Sequence, residues 1–348
     1  MPSALALLTQ KNEGAFLLEW FAHHLATGFD KVLVYSNDCV DGSDLMLDRL
    51  SELGYCDHVR NDGPYDDRGI QFTALKLAEK HPLVKEADWI LSMDVDEFVN
   101  IKIGDHTLSA LWSALPEATA ITLTWRLFGN NNIYAYEDLP IREQFTKAAP
   151  ATLDWPWRAF MIKTLYKNDG TYRKLGVHRP RNPDKSKLDT AHWFDGSGRR
   201  LGGEYLTNRL FSPFTQNNYE LVQMNHYSLG AMQSFIIKVD RGRSGHSYQP
   251  LGMDYWTERN YNTESDTSVL ALNDTVSALM DRFLSDPQLA QLHDNAVAWR
   301  HRQFETLMAQ EPMRALLGRM MVTPQTQPIS PENARILVGF AQNAQNGA

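Results

Sequence analysis

An α/β fold is what this sequence predicts: a mostly parallel sheet flanked by helices, with a helical extension at the C-terminus. Three observations carry that expectation. Within the first hundred residues, short apolar runs alternate four times with longer segments whose apolar residues recur at helical spacing, the rhythm of βα units that cover a sheet on both faces. The runs are continuous and β-branched, as in Lys31 to Tyr35 (KVLVY), which suits strands buried on both sides. Beyond Met253 helical periodicity takes over.

Taken in order, Ala4 to Leu8 is too short for a helix and reads as the first strand. Phe16 to Gly28 follows with Leu17, Trp20, Phe21 and His24 at helical spacing and Gly28 as its stop. Lys31 to Tyr35 is the second strand, and Asp41 to Leu53 the second helix, capped by Asp41 or Ser43. Tyr55 to Arg60 is a weaker third strand, and Asp67 to Lys80 a third helix. Trp89 to Met93 (WILSM) is the fourth strand, and it runs straight into Asp94-Val95-Asp96-Glu97. After residue 119 the texture changes. Ala120 to Trp125 and Phe160 to Tyr166 read as strands, and residues 150–202, rich in Trp, Arg, Pro and Gly, as ordered loops around a pocket. Helices are expected over Ser268 to Leu284 and Pro287 to Met308, then a Pro-rich break and one last short helix.

Composition narrows the function. A formal charge of −8 argues against a nucleic-acid partner, because affinity for a phosphate backbone needs a basic face. Two cysteines, Cys39 and Cys56, make neither a disulfide framework nor a zinc spacing and point to a reducing compartment, the cytoplasm. No run of eighteen apolar residues predicts a membrane span, which leaves peripheral contact with a membrane open.

The sharpest chemical signal is Asp94-Val95-Asp96 at the end of an apolar strand. Ligands of open α/β sheets bind beyond the carboxyl ends of the strands, and Asn37, Asp38, Asp94 and Asp96 all fall there. Two carboxylates spaced by one residue can hold a hard cation, Mn²⁺ or Mg²⁺, which in turn neutralises charge on a departing diphosphate. An acidic turn with no ligand is the plain alternative.

Three segments together resemble the family 2 glycosyltransferases. They are Lys11-Asn12-Glu13-Gly14 after the first strand, Asn37 to Ser43 after the second, and Asp94-Val95-Asp96-Glu97-Phe98 after the fourth. The similarity is to a bacterial branch with a KNE…EW…H helix, and it spans residues 1 to about 245. It implies a GT-A fold, a nucleotide-diphosphate sugar donor (a UDP-sugar), a divalent cation, inversion at the anomeric carbon, and a role in assembling polysaccharide or lipid-linked glycan. On that basis residues 1–118 form a nucleotide-binding half, 119–245 an acceptor half that completes the metal site, and 246–348 a helical extension. The family's Asp pair after the second strand is replaced here by Ser36 and Asn37, which leaves Asn37 and the adjacent Asp38 as candidates for the nucleoside.

By position, His226 resembles the late histidine that completes the metal shell in this fold, beside Asp94 and Asp96. Lys238, Arg241 and Arg243 are candidates for the diphosphate, together with Lys11, Asn12 and Glu13. The basic run from Arg173 to Lys187 is an exception in an acidic chain, and His178 and Arg179 stand out within it. For the catalytic base the candidates are Asp195, between aromatics and glycines, His178, and Glu137-Asp138. Trp155, Trp157 and Trp193 suit stacking on a sugar but serve equally well as core. His23 and His24 point to different sides of one helix and cannot chelate together. Two other readings compete: a nucleotidyltransferase, weakened by the single glycine after the first strand, and a nucleotide-sugar or glycan binding module without catalysis.

Overall fold

The computed structural model describes residues 2–65, 69–242 and 251–346. The strands are β1 (Ala4–Gln10), β2 (Lys31–Ser36), β3 (Asp57–Arg60), β4 (Trp89–Met93), β5 (Glu97–Ile101), β6 (Ala120–Leu127), β7 (Lys147–Ala148), β8 (Ile162–Lys167), β9 (Tyr172–Lys174), β10 (Arg181–Pro183), β11 (Trp193–Phe194), β12 (Arg200–Leu201), β13 (Val222–His226) and β14 (Glu264–Ser265). The helices are α1 (Gly14–Thr27), α2 (Ser43–Glu52), α3 (Ile70–Ala78), α4 (Pro82–Glu86), α5 (Leu108–Ala114), α6 (Ile141–Gln144), α7 (Met232–Arg241), α8 (Met253–Thr257), α9 (Asn273–Leu284), α10 (Pro287–Met308), α11 (Glu311–Val322) and α12 (Pro331–Asn346).

The central sheet has ten strands in the order β12-β11-β6-β8-β4-β1-β2-β3, with β13 beside β6 and β5 beside β13. The run β4-β1-β2-β3 is parallel throughout, as the buried apolar strands predicted. Its register sets Gln10 beside Ser36 and Leu8 beside Met93, so the loops after β1, β2 and β4 leave one edge together. Beyond β4 the sheet is mixed, because β8 runs antiparallel to both β4 and β6.

Among the elements not anticipated, two strands and a helix matter for the site. The strand β5 begins inside the acidic motif, at Glu97, and is fully buried against β13, which is itself buried along its length. Helix α7 follows after a short turn. The expected third helix is α3, and a separate short helix not anticipated, α4, follows it, with Pro82 at its first position, where a missing N–H costs nothing.

The C-terminal helices pack onto the N-terminal ones. Val276 and Phe283 of α9 and Leu289 and Ala296 of α10 share one core with Leu17, Phe21, Met46 and Leu50 of α1 and α2. Contact is so close at Gly14 that a Cβ there would lie 2.8 Å from the Ala296 Cβ. Asp286 accepts the Leu289 N–H that starts α10 and binds Arg49 of α2 through both oxygens, at 3.2 and 2.6 Å. No helix among the described residues is long and apolar enough to cross a membrane.

One buried ion pair anchors the loop that reaches over this face. Glu19 of α1 accepts the Ile141 N–H (2.7 Å) and the Arg142 Nε–H (2.9 Å). Burial pushes the Glu19 carboxyl up, and Arg142 with the two backbone donors only partly offsets it. Removing one partner would leave the other charge buried and unpaired. Glu19→Ala is therefore expected to cost about 3–5 kcal/mol in urea-monitored unfolding, and Glu19→Gln less, because its amide oxygen still accepts from the backbone.

Candidate functional site

The loops after β1, β2 and β4 leave the same sheet edge, and the first job of their polar residues is to tie those loops together. Asn12, at a positive φ of 54°, accepts the Val40 N–H (2.8 Å), while Asp41 accepts the Gly14 N–H (2.8 Å). The loops after β1 and β2 are thus locked to one another. Asn37 completes the lock. It is buried and donates to the Gln10 and Tyr35 carbonyls, while its oxygen accepts from Asn61 at 2.6 Å. Both of its N–H groups are spent, which corrects the expectation that Asn37 reads a base or ribose: its place is in the frame.

The group that does face outward is Asp38, whose carboxylate accepts from the Tyr65 hydroxyl (2.6 Å) and lies 4.0 Å from the Lys11 ammonium. Its backbone N–H donates to Asp62 (3.0 Å), a residue after β3 that spacing alone did not single out. Lys11, Asp38, Asp62 and Tyr65 form a polar shelf over the ends of β1, β2 and β3.

Next along the edge stands the acidic motif. Asp94 accepts from Gln71 Nε2 (3.0 Å) on one oxygen and from Lys163 Nζ (3.0 Å) on the other. Lys163, buried on β8, also lies 3.0 Å from Glu97. Glu97 in turn accepts the Trp125 indole N–H (2.6 Å) and the Asp94 backbone N–H (2.9 Å). Burial pushes the Glu97 carboxyl up, and the Lys163 ammonium opposes it. For Lys163 burial works the other way, but its two carboxylates win and its pKa rises.

Asp96 keeps different company. One oxygen accepts from Lys238 of α7 at 2.6 Å, and the other lies 3.8 Å from His226 Nε2 at the end of β13. Burial alone would raise the Asp96 carboxyl, yet the Lys238 ammonium holds it well below the usual carboxylate range. Burial drives the His226 imidazole down to about 3, against the pull of Asp96, so the ring is neutral at pH 7. It packs at 4.1 Å on Trp125, and the same indole meets His178 edge-on at 5.5 Å.

The structure therefore brings Asp94, Asp96, His226, Lys238 and His178 to one place, with Lys11 and Asp38 on the adjoining shelf. Glu13 and Arg241 join this neighbourhood as an ion pair, and Arg241 also donates to the Lys11 carbonyl (2.9 Å). Arg243 lies outside the described residues. Two other expectations fail. Asp195 is fully buried, accepts from the Ser197 and Arg199 N–H groups, and binds Arg199 Nε at 2.7 Å. The next residue, Gly196, bonds to Val222, four residues along β13 from His226, roughly 13 Å at strand rise. Asp195 holds a turn at the far end of the sheet and is no base. Arg179 is buried over the Trp193 ring, and Trp193 itself is core. Asp138 is held by His293 on α10.

Among the described residues no three His, Cys, Asp or Glu side chains converge on one point. The donor set present is one carboxylate oxygen of Asp96 and one neutral imidazole nitrogen of His226, far enough apart for an ion to bridge. That suits Mn²⁺ or Mg²⁺, which keep several positions for water and substrate phosphate. Asp94, held by Gln71 and Lys163, has no oxygen left without a partner.

No family model and no curated protein matches this sequence. Among solved structures, the chain is similar to S. aureus TarS 1–349, at 12% identity over 86% of this chain and 91% of that one, with a TM-score of 0.35. The same protein in complex with UDP-GlcNAc is 14% identical over 82% and 73%, with a TM-score of 0.32. A Bacillus anthracis protein assigned as a glucose-1-phosphate thymidylyltransferase, in complex with sucrose, is 12% identical over 47% and 72%, with a TM-score of 0.27. At such identities and scores none of these likenesses says which reaction this chain carries out.

Lys163 offers a test of the electrostatics. Lys163→Met leaves Glu97 and Asp94 facing each other without their cation, an expected loss of about 3–5 kcal/mol in equilibrium unfolding. The double change Lys163→Met with Glu97→Gln should recover a large part of that loss, read as a double-mutant cycle.

Proposed function

We propose that the chain is a glycosyltransferase of the GT-A type. It moves a sugar from a nucleotide-diphosphate donor, a UDP-sugar, to a hydroxyl of a glycan or lipid-linked glycan acceptor, with inversion. The observation that carries this reading is Asp96, which faces His226 on one side and Lys238 on the other at the carboxyl edge of the parallel strands. Lys238 balances the charge on one Asp96 oxygen, and the other, 3.8 Å from the neutral His226 ring, is left to take a cation that would face a diphosphate.

Roles follow from position. The shelf of Lys11, Asp38 and Asp62 receives the nucleoside, where carboxylates accept from ribose hydroxyls and base N–H groups. A divalent ion held by Asp96 and His226 would supply positive charge to the diphosphate. Lys238, already beside Asp96, is placed to hold a phosphate oxygen, and Arg241 stands behind it on the same helix. In the transfer an acceptor oxygen forms a bond to the anomeric carbon while that carbon's bond to the diphosphate breaks. The diphosphate leaves with the bonding pair, and the acceptor proton passes to a base. His178, which packs on Trp125 as His226 does, is the candidate for that base. The chain contributes mainly orientation and a fixed electrostatic field.

Nucleotide release from a panel of nucleotide sugars, with Mn²⁺, with Mg²⁺ and with chelator, tests the proposal. One donor should give a metal-dependent signal that falls about 100-fold or more in Asp96→Ala. Neither binding nor release from any donor would sink it. Asp38→Ala and Asp62→Ala should each weaken UDP binding about tenfold by calorimetry while leaving thermal stability nearly unchanged, because both side chains stand at the surface. Unaltered UDP affinity in both variants would move the nucleoside off this shelf.

A further inference from the structure

One strongly charged residue beside the site has no role in the transfer described above. Arg300 of α10 is only 5% exposed, and its guanidinium lies over the faces of Phe16 (4.3 Å) and Tyr136 (5.1 Å). Its nearest carboxylate oxygen, on Glu13, is 3.8 Å away, beyond hydrogen-bond reach, and that carboxylate is already taken by Arg241. The Nε is buried with no hydrogen-bond partner, and the guanidinium donates no hydrogen bond to any described residue. A guanidinium carries five N–H donors in a planar fork, and burying it without acceptors is costly. The two aromatic rings supply attraction to its charge but no acceptor.

Arg300 lines an open cleft that runs up to Asp96 and Lys238. The walls are largely apolar and aromatic, from Phe16, Phe145 and Tyr227, as suits the face of a sugar ring. A second polar group on the lining, the Ser228 hydroxyl, is also buried and unpartnered. The acidic groups on the lining are Glu13 and Asp96, and each already has a cation, Arg241 and Lys238 respectively. What the cleft has to spare is therefore hydrogen-bond donation from a buried cation.

We infer that this cleft is a subsite for a sugar unit bearing an oxyanion, a carboxylate or a phosphate, which Arg300 grips with its fork while the ring lies against Phe16, Phe145 and Tyr227. The inference rests on the glycosyltransferase reading and adds the class of sugar. The anionic unit belongs either to the donor sugar or to the acceptor, and the two sources separate in one set of titrations.

The full chain is titrated with UDP, with UDP-glucuronate against UDP-glucose, and with trigalacturonate against maltotriose. One of the last two pairs should favour its anionic member by about 10- to 100-fold, the range of a charge-assisted pair. The donor pair or the acceptor pair, whichever responds, names the source. Arg300→Met, which keeps the stem between the two rings, should abolish that preference and leave UDP affinity within about twofold. Equal binding of anionic and neutral members in both pairs overturns the inference. So does a loss of UDP affinity in Arg300→Met as large as the loss for the anionic sugar, because Arg300 would then serve the diphosphate. If Arg300→Met does not fold, Ser234→Phe fills the cleft from α7 and should block the anionic sugar but not UDP; no effect there is equally fatal. Absence of UDP binding in the unaltered chain counts against the glycosyltransferase reading alone, since the trisaccharide pair needs no nucleotide.

Discussion

Lys163 is the residue on which the site depends. A lysine in the middle of a buried strand is expensive to desolvate, and only two carboxylates at 3.0 Å make it tolerable. Those carboxylates sit at the end of β4 and the start of β5, and Glu97 also takes the Trp125 indole from β6. One ammonium thus joins the strands that must meet for the acidic loop to have a shape. Because β8 runs antiparallel between β4 and β6, it can carry the cation to the carboxyl edge of its neighbours. The geometry of Asp94 is a consequence of that packing.

A second set of charges holds the rim. Glu19 seats the loop at Ile141 and Arg142, Glu13 joins the turn before α1 to Arg241 of α7, and Arg49 joins α2 to the start of α10. Each pair links an element of the parallel half to a later part of the chain. The cleft beside Asp96 has walls from both, so its shape depends on these joins. The C-terminal helices belong to the same design, since Ala296 presses on Gly14 at the turn that carries Glu13.

How much was legible in the sequence varied with the kind of evidence each residue offered. The strands β1, β2 and β4 and the helices α1, α2 and α10 announced themselves through periodicity, and α1 stops at Gly28 and α10 opens at Pro287 as expected. Asp96 and His226 were found from motif and order, and the fold sets them face to face. Asn37 and Asp195 misled because an Asn or Asp in a loop looks the same whether it serves a ligand or a turn. In both cases the amide or carboxylate is used up by neighbouring backbone. Lys163 carried a signal that was not used: a lone lysine inside the apolar run Phe160 to Tyr166 needs a buried counter-charge, and the chain offers few.

By itself the sequence determined the class of the fold and the sheet edge at which the acidic motif lies. Both are local properties: a strand's burial shows in its apolar run, and a parallel sheet presents its loops at the carboxyl ends. Tertiary structure alone decided which charges neutralise which. Lys163 lies 69 residues from Asp94, and Lys238 lies 142 residues from Asp96. Pairings over such spans follow from the path of the sheet, in which one antiparallel strand and one late helix return to the acidic loop. The same holds for Arg300, whose lack of a hydrogen-bond acceptor among the described residues is visible only once α10 has folded against α1. A sequence records that a side chain is charged, and the fold decides whether anything nearby answers that charge.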